Sequence, residues 1–134
     1  MKKIDVGASV ARLIVVDNPR TVDFLGDGLR VYATPELVRD IEATCRDFLL
    51  GFVDAGEDSV GFGINVPHSG ATPLGMQVDI AITVTAVEGR KVRFEVTAKD
   101  DVEEICKGHH DRFVIEVDKL RARVAAKAAK LKSI

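Results

Sequence analysis

Hydrophobic residues along this 134-residue chain come first as a β-branched run, then at helical spacing, and then in strict alternation. Residues 8–16 (ASVARLIVV) predict a strand that stops at Asp17-Asn18-Pro19. Residues 21–33 lack a regular pattern, and Gly26, Asp27 and Gly28 mark a loop. A helix is predicted from Thr34-Pro35, because threonine is a good N-cap and proline suits the first helical position, where its missing N–H has no partner to lose. Leu37, Ile41, Phe48 and Phe52 recur at helical spacing, with Val38, Cys45 and Leu49 in the adjacent row. Arg39, Asp40, Arg46 and Asp47 supply a charged side, and Gly51 sits near the end. About half the circumference is apolar, which suits a helix lying against a concave sheet.

After a turn over residues 54–58, residues 59–66 read as a strand and residues 67–73 (PHSGATP) as a loop. Residues 76–87 alternate, with Met76, Val78, Ile80, Ile82, Val84 and Ala86 on one side. Glu88-Gly89 turns this strand into residues 91–98, and Asp100-Asp101 leads to a last strand over residues 105–117. Long strands joined by short turns describe an antiparallel meander. Leu120, Val124, Ala128 and Leu131 then mark one face of a terminal helix. One strand, one buried helix and four strands predict an α+β hot-dog layout: a curled antiparallel sheet wrapped around a central helix, plus a C-terminal helix. One layer of sheet on one helix leaves the far sheet face and one edge to be covered, which predicts a homodimer and permits a tetramer.

The length allows one hydrophobic core, so residues 1–134 are expected to form a single domain. Hydrophobic residues at 46% and charged residues at 30% exclude wholesale disorder, and a net charge of −2 argues against a polyanion-coating protein. No apolar stretch approaches the roughly 20 residues that cross a bilayer, and no apolar leader follows Met1-Lys2-Lys3. Cys45 and Cys106 make neither a disulfide framework nor a zinc pattern, so a reducing, cytoplasmic setting is expected.

Several side chains stand out against this pattern. Glu42 falls within the apolar stripe of the helix, where a carboxylate either reaches water at the stripe's edge or is held for use as a base or nucleophile. His68 sits in a Pro/Gly/Ser-rich loop just after a strand, a place from which loops often present functional groups. Thr34 has a structural task as N-cap, and Gly61 and Gly63 point to a bulge or to close approach of a ligand. His109 and His110 are adjacent on a strand and so face opposite ways, which argues against a shared metal ion. Cys45 reads as helix core. The terminal helix carries Lys119, Arg121, Arg123, Lys127, Lys130 and Lys132, a solvated face or a seat for phosphates; without interleaved aromatics it does not suggest nucleic acid.

Five segments together resemble the fluoroacetyl-CoA thioesterase group of hot-dog proteins: Val31-Tyr32-Ala33-Thr34, Ile41-Glu42-Ala43-Thr44-Cys45, Ser59-Val60-Gly61, residues 66–75 (VPHSGATPLG) and residues 108–115 (GHHDRFVI). The resemblance implies an acyl-CoA thioesterase with catalytic Thr34, Glu42 and His68. It also implies a carbonyl-facing backbone amide at Gly61 and a substrate-binding arginine at Arg112. It implies no metal and no separate cofactor, coenzyme A being part of the substrate. Residues 21–30 depart from the group's fluoroacetyl-selective member, which has a longer loop with aromatic lid residues; Phe24 is the only aromatic here before Tyr32. Fluoroacetyl selectivity is therefore not implied.

Eight residues of helix span about 12 Å, so Thr34 and Glu42 of one chain are not expected to touch. If both act on one thioester, the start of one subunit's helix should lie opposite Glu42 of another, giving two composite sites per dimer. Attack by Thr34, by Glu42 or by water all remain open at this stage. So do a non-hydrolytic acyl-CoA or acyl-carrier binding protein and a hydratase on the same fold.

Overall fold

The computed structural model describes residues 1–133, with side chains through residue 131. Strand β1 (Ser9–Val15) leads through two short 3-10 turns, Asn18–Arg20 and Asp27–Leu29, to helix α1 (Thr34–Leu50). Strands β2 (Glu57–Asn65), β3 (Gln77–Glu88), β4 (Lys91–Asp100) and β5 (Glu104–Glu116) follow, and α2 (Val117–Ala129) closes the fold. The five strands form one antiparallel sheet in the order β1-β3-β4-β5-β2, so β1 and β2 are the edges. This is the predicted hot-dog layout.

The core lies between one face of the sheet and α1. Leu37, Ile41, Cys45 and Leu49 are fully buried at helical spacing. They meet alternate residues of the long strands: Val78, Ile80, Ile82 and Val84 of β3, then Val92, Phe94, Val96 and Ala98 of β4. Phe48 packs edge-on against Phe94, with ring centroids 5.8 Å apart. Burying such side chains contributes about 1.5–3 kcal/mol each, which is why the stripe fixes the helix's rotation against the sheet.

Three details differ from the sequence pattern. The alternation of β3 breaks at a bulge between Val84 and Ala86, so Val87 rather than Ala86 packs against the core. Asp40 does not join the charged outer side of α1; it is buried, for a reason given below. The terminal helix buries none of its residues, and Val124 and Leu131 of the predicted apolar face are exposed. The side chain of Lys132 lies outside the described residues.

Both sheet edges are open: Val10, Leu13 and Val15 are exposed on β1, and β2 is exposed as well. The β2 backbone has a neighbour only in β5, and Val60, Phe62 and Ile64 along it are exposed. Among the described residues, no helix is long and apolar enough to cross a membrane.

Candidate active site

Two clusters of chemistry-bearing side chains sit on α1, one at its start and one at its middle. At the start, the N-cap is Ala33, in extended backbone (φ −77°, ψ 136°), and Thr34 is already the first helical residue. The predicted capping role for Thr34 is thus incorrect. Moving the cap back one residue releases the threonine hydroxyl, which instead lies 2.8 Å from Nδ1 of His68.

His68 is held by its loop. A bridge pairs it with Cys106 of β5, and the next amide, Ser69 N–H, donates to the Ile105 carbonyl at 2.8 Å. Its Nε2 is buried and has no hydrogen-bond partner among the described residues. Burial of the ring moves its pKa below 6.5, so it is a neutral base near pH 7. A hydroxyl donating to Nδ1 calls for the Nε2–H tautomer, which leaves the lone pair aimed at Thr34.

Behind this pair lies a buried polar triad. Arg20 forms a two-pronged ion pair with Asp40, Nε to Oδ2 at 2.9 Å and Nη2 to Oδ1 at 3.1 Å. The Tyr32 hydroxyl donates to the same carboxylate. Here is the reason Asp40 faces inward: both oxygens are used, and Arg20 neutralises the charge. Arg20 also accepts the Ala33 amide with its own carbonyl at 2.8 Å, fixing the residue before Thr34. The Tyr32 ring stands edge-on to His68, centroids 6.0 Å apart, and walls the imidazole in. Burial raises the Tyr32 pKa, so the phenol stays protonated.

A cleft of about 310 Å³ opens at Thr34 and His68, with Val22, Phe24, Leu25 and Val31 along one wall. A larger hollow of about 430 Å³, among Asp54, Glu57, Arg90 and Glu116, lies elsewhere and contains no nucleophile–base pair.

The second cluster surrounds Glu42. Its side chain is 44% exposed and Oε2 lies 3.8 Å from Arg112 Nη1. The helix therefore holds this carboxylate at the edge of its apolar stripe, beside a guanidinium rather than within hydrocarbon. A Cβ added to Gly61 of β2 would sit 3.6 Å from the same oxygen, which places the Gly61 backbone directly across from it. Gly61 pairs with Arg112, and the register shifts between Gly61 and Gly63, so the predicted bulge is present. Arg112 is buried: Nε donates to Ser59 Oγ at 2.8 Å and Nη2 to the Ser59 carbonyl at 2.9 Å.

The five residues singled out from the sequence thus fall into two groups within one chain, Thr34 with His68 and Glu42 with Gly61 and Arg112. Sequence reasoning did not find Ser59, Asp40 and Arg20, which support these groups. Only the placing of Asp40 three residues after Leu37 and four before Thr44, both buried, hints at its inward turn. His109 and His110 do face opposite sides of β5: His110 is buried and His109 only half-buried. Among the described residues no cluster of His, Cys, Asp and Glu is arranged to hold a metal ion. Both cysteines are free and buried, and burial pushes the thiols up to about 12 for Cys45 and about 11 for Cys106, too high for a nucleophile near pH 7.

Residues 16–118 match the family described as fluoroacetyl-CoA-specific thioesterase. A fluoroacetyl-CoA thioesterase of Streptantibioticus cattleyicolor is 38% identical over 97 residues, 72% of this chain and 70% of that protein. A solved structure of a fluoroacetyl-CoA thioesterase matches with a TM-score of 0.86 at 33% identity, covering 94% of this chain and 98% of the other. A mutant of such an enzyme, in complex with fluoroacetate and CoA, matches at 0.81 and 33% identity over 87% and 99% of the two chains. A thioesterase-superfamily member from Thermus thermophilus matches at 0.89 and 25% identity over the full length of both.

Proposed function

This chain belongs to the fluoroacetyl-CoA-specific thioesterase family and is a thioester hydrolase; from that premise we propose that it hydrolyses a small acyl-CoA at composite sites built by two copies of the chain. The observation that carries this reading is the Thr34–His68 contact of 2.8 Å, a hydroxyl paired with a neutral imidazole. His68 accepts the Thr34 proton as Oγ1 attacks the thioester carbon and hands it to the CoA sulfur as the C–S bond breaks, so that the acyl group stays on threonine, CoA leaves as the thiol and the imidazole is neutral again. Water, deprotonated by the same imidazole, then releases the acid. The backbone N–H of Gly61 stabilises the oxyanion, and Glu42 orients the reacting group, with Arg112 holding Glu42 and the substrate. Coenzyme A enters as part of the substrate.

The need for a second copy follows from α1. Thr34 and Glu42 are eight residues apart along one helix, about 12 Å of rise, too far to grip one carbonyl. The open β2 edge, with Val60, Phe62 and Ile64 exposed, supports pairing with another copy near Gly61, where Glu42 already faces the strand.

Complementation tests both parts. Glu42→Ala and His68→Ala are each expected to lower thiol release by about tenfold to a hundredfold. Mixed one to one after subunit exchange, they should regain about a quarter of wild-type activity, since half the dimers are mixed and each has one intact site. No recovery, despite exchange shown by mass spectrometry, would place the whole site in one chain. Single turnover in 18-oxygen water tests the carboxylate as attacking group: label in Glu42 would exclude direct attack by water and replace threonine by Glu42.

A further inference from the structure

One buried titratable side chain lies against the site without a task in this chemistry. His110 is 1% exposed and sits two residues before Arg112, on the same face of β5. Its Nδ1 is 2.8 Å from the Gly63 carbonyl oxygen, and its Nε2 is 3.2 Å from Arg112 Nη1. A carbonyl only accepts and a guanidinium only donates. The two contacts therefore dictate a neutral ring with its proton on Nδ1.

Arg112 has its other nitrogens committed to Ser59, so Nη1 is the end that turns toward Glu42 Oε2, 3.8 Å away. The imidazole lone pair is what Nη1 leans on. The ring's Cε1 edge also lies 3.6 Å from the point a Gly61 Cβ would occupy, so His110 packs beside the Gly61 backbone next to Glu42. The bulge between Gly61 and Gly63 is what lets the Gly63 carbonyl cap this ring while Gly61 stays opposite Arg112.

We propose that His110 is a positioning residue for thioester hydrolysis: clamped between the Gly63 carbonyl and Arg112, its neutral ring holds the guanidinium in place against Glu42. This rests on the reading of Glu42 and Arg112 given above, and adds to it a residue that touches neither substrate nor reacting atom. Protonation would set a second N–H against a cation and release the clamp. Burial, the largest influence, and Arg112 oppose that proton, while the Gly63 carbonyl, Glu42 of α1 and Asp111 of β5 favour it. Phe94, the partner of His110 on β4, is uncharged.

Two substitutions separate positioning from packing. His110→Phe keeps a ring and removes the acceptor; His110→Gln keeps an acceptor that cannot be protonated. With an acyl-CoA that the wild type turns over, the Phe variant should lose about tenfold or more in kcat with a smaller change in KM, and the Gln variant should stay within about threefold of wild type. Adding Arg112→Met to His110→Phe should cost little beyond Arg112→Met alone, because one residue acts through the other. A Phe variant with full kcat, or losses that multiply in the double variant, would overturn the proposal.

The imidazole nitrogen resonances give a reading that needs no activity, and they hold even if the Phe variant does not fold. In the wild type, His110 should remain the neutral Nδ1–H tautomer at about pH 6, where a free histidine is largely charged. A doubly protonated or Nε2–H ring would refute the clamp. Absence of thiol release from every acyl-CoA would remove the thioesterase reading, and the spectrum would still decide the clamp.

Discussion

Replacing Gly61 by alanine is expected to slow catalysis sharply while leaving the fold intact. The added Cβ would lie 3.6 Å from Glu42 Oε2 and 3.6 Å from His110 Cε1, both ordinary van der Waals distances. Gly61 does not have a positive φ, so alanine fits the backbone without strain. On those grounds folding stability should change by less than about 1 kcal/mol, and trading glycine's freedom in the unfolded chain for alanine's favours the folded state. Function is another matter. The added methyl would cover the face of Gly61 beside the carboxylate, the space that the proposed site gives to the thioester. Forcing the thioester aside by about 1 Å should lower kcat/KM by about a hundredfold. Thiol release with the best acyl-CoA, measured beside a urea unfolding curve, reads both quantities. A stable G61A protein with wild-type kcat/KM would show that no substrate passes over Gly61, and the assignment of the Gly61 face beside Glu42 as catalytic would fall.

Further outcomes follow from other contacts. Gly108→Ala is the counterpart: its Cβ would lie 2.0 Å from the Asn65 carbonyl oxygen and 2.9 Å from Val66 Cα, both backbone atoms, so β2 and β5 must part. A loss of about 3 kcal/mol in urea is expected, with reduced turnover because Val66 leads into the His68 loop. Arg20→Leu strands the Asp40 carboxylate, 9% exposed, with only Tyr32, and should cost about 2 kcal/mol on the urea midpoint; an unchanged midpoint would mean the pair adds nothing. Burial holds the His68 and His110 pKa values below 6.5, so the unfolded chain takes up protons first as pH falls. Stability should be full above about pH 6.5 and decline below it, toward the folded values. The stability held by the lowered carboxylates is in place above their ordinary values, 3.8 for Asp58 and Asp111 and 4.5 for Glu57, and is lost only as pH falls past them, so a urea midpoint that stays flat between about pH 6.5 and 5 would contradict the histidine shifts.

The elements were legible because each obeys a single period. The stripe Leu37, Ile41, Cys45 and Leu49 is buried as its spacing demands, and the alternation of β3 holds as far as Val84. What periodicity cannot express is pairing between distant residues. Asp40 reads as surface charge until Arg20 and Tyr32 are brought to it from the irregular stretch before the helix. The capping expectation for Thr34 does not hold because the cap falls at Ala33 and the freed hydroxyl meets His68, which arrives from 34 residues away. Of the two readings of Glu42, the structure shows the carboxylate at the edge of the apolar stripe, beside Arg112, and the spacing of Thr34 and Glu42 along one helix raises the need for a second copy. His110 was weighed only as a metal ligand, since its partners Gly63 and Arg112 are set by strand register and a bulge.

The helix α1 carries a hydroxyl at one end and a carboxylate two turns on, and so it works as a ruler. Deleting a single residue between positions 34 and 42 would swing Glu42 around the axis by about 100° and aim it away from β2. The proposed site therefore fixes the length of this stretch, whereas residues 21–30 lie outside the span it sets. New acyl preferences in related proteins should arise by insertion and deletion in that segment, with the ruler left uncut.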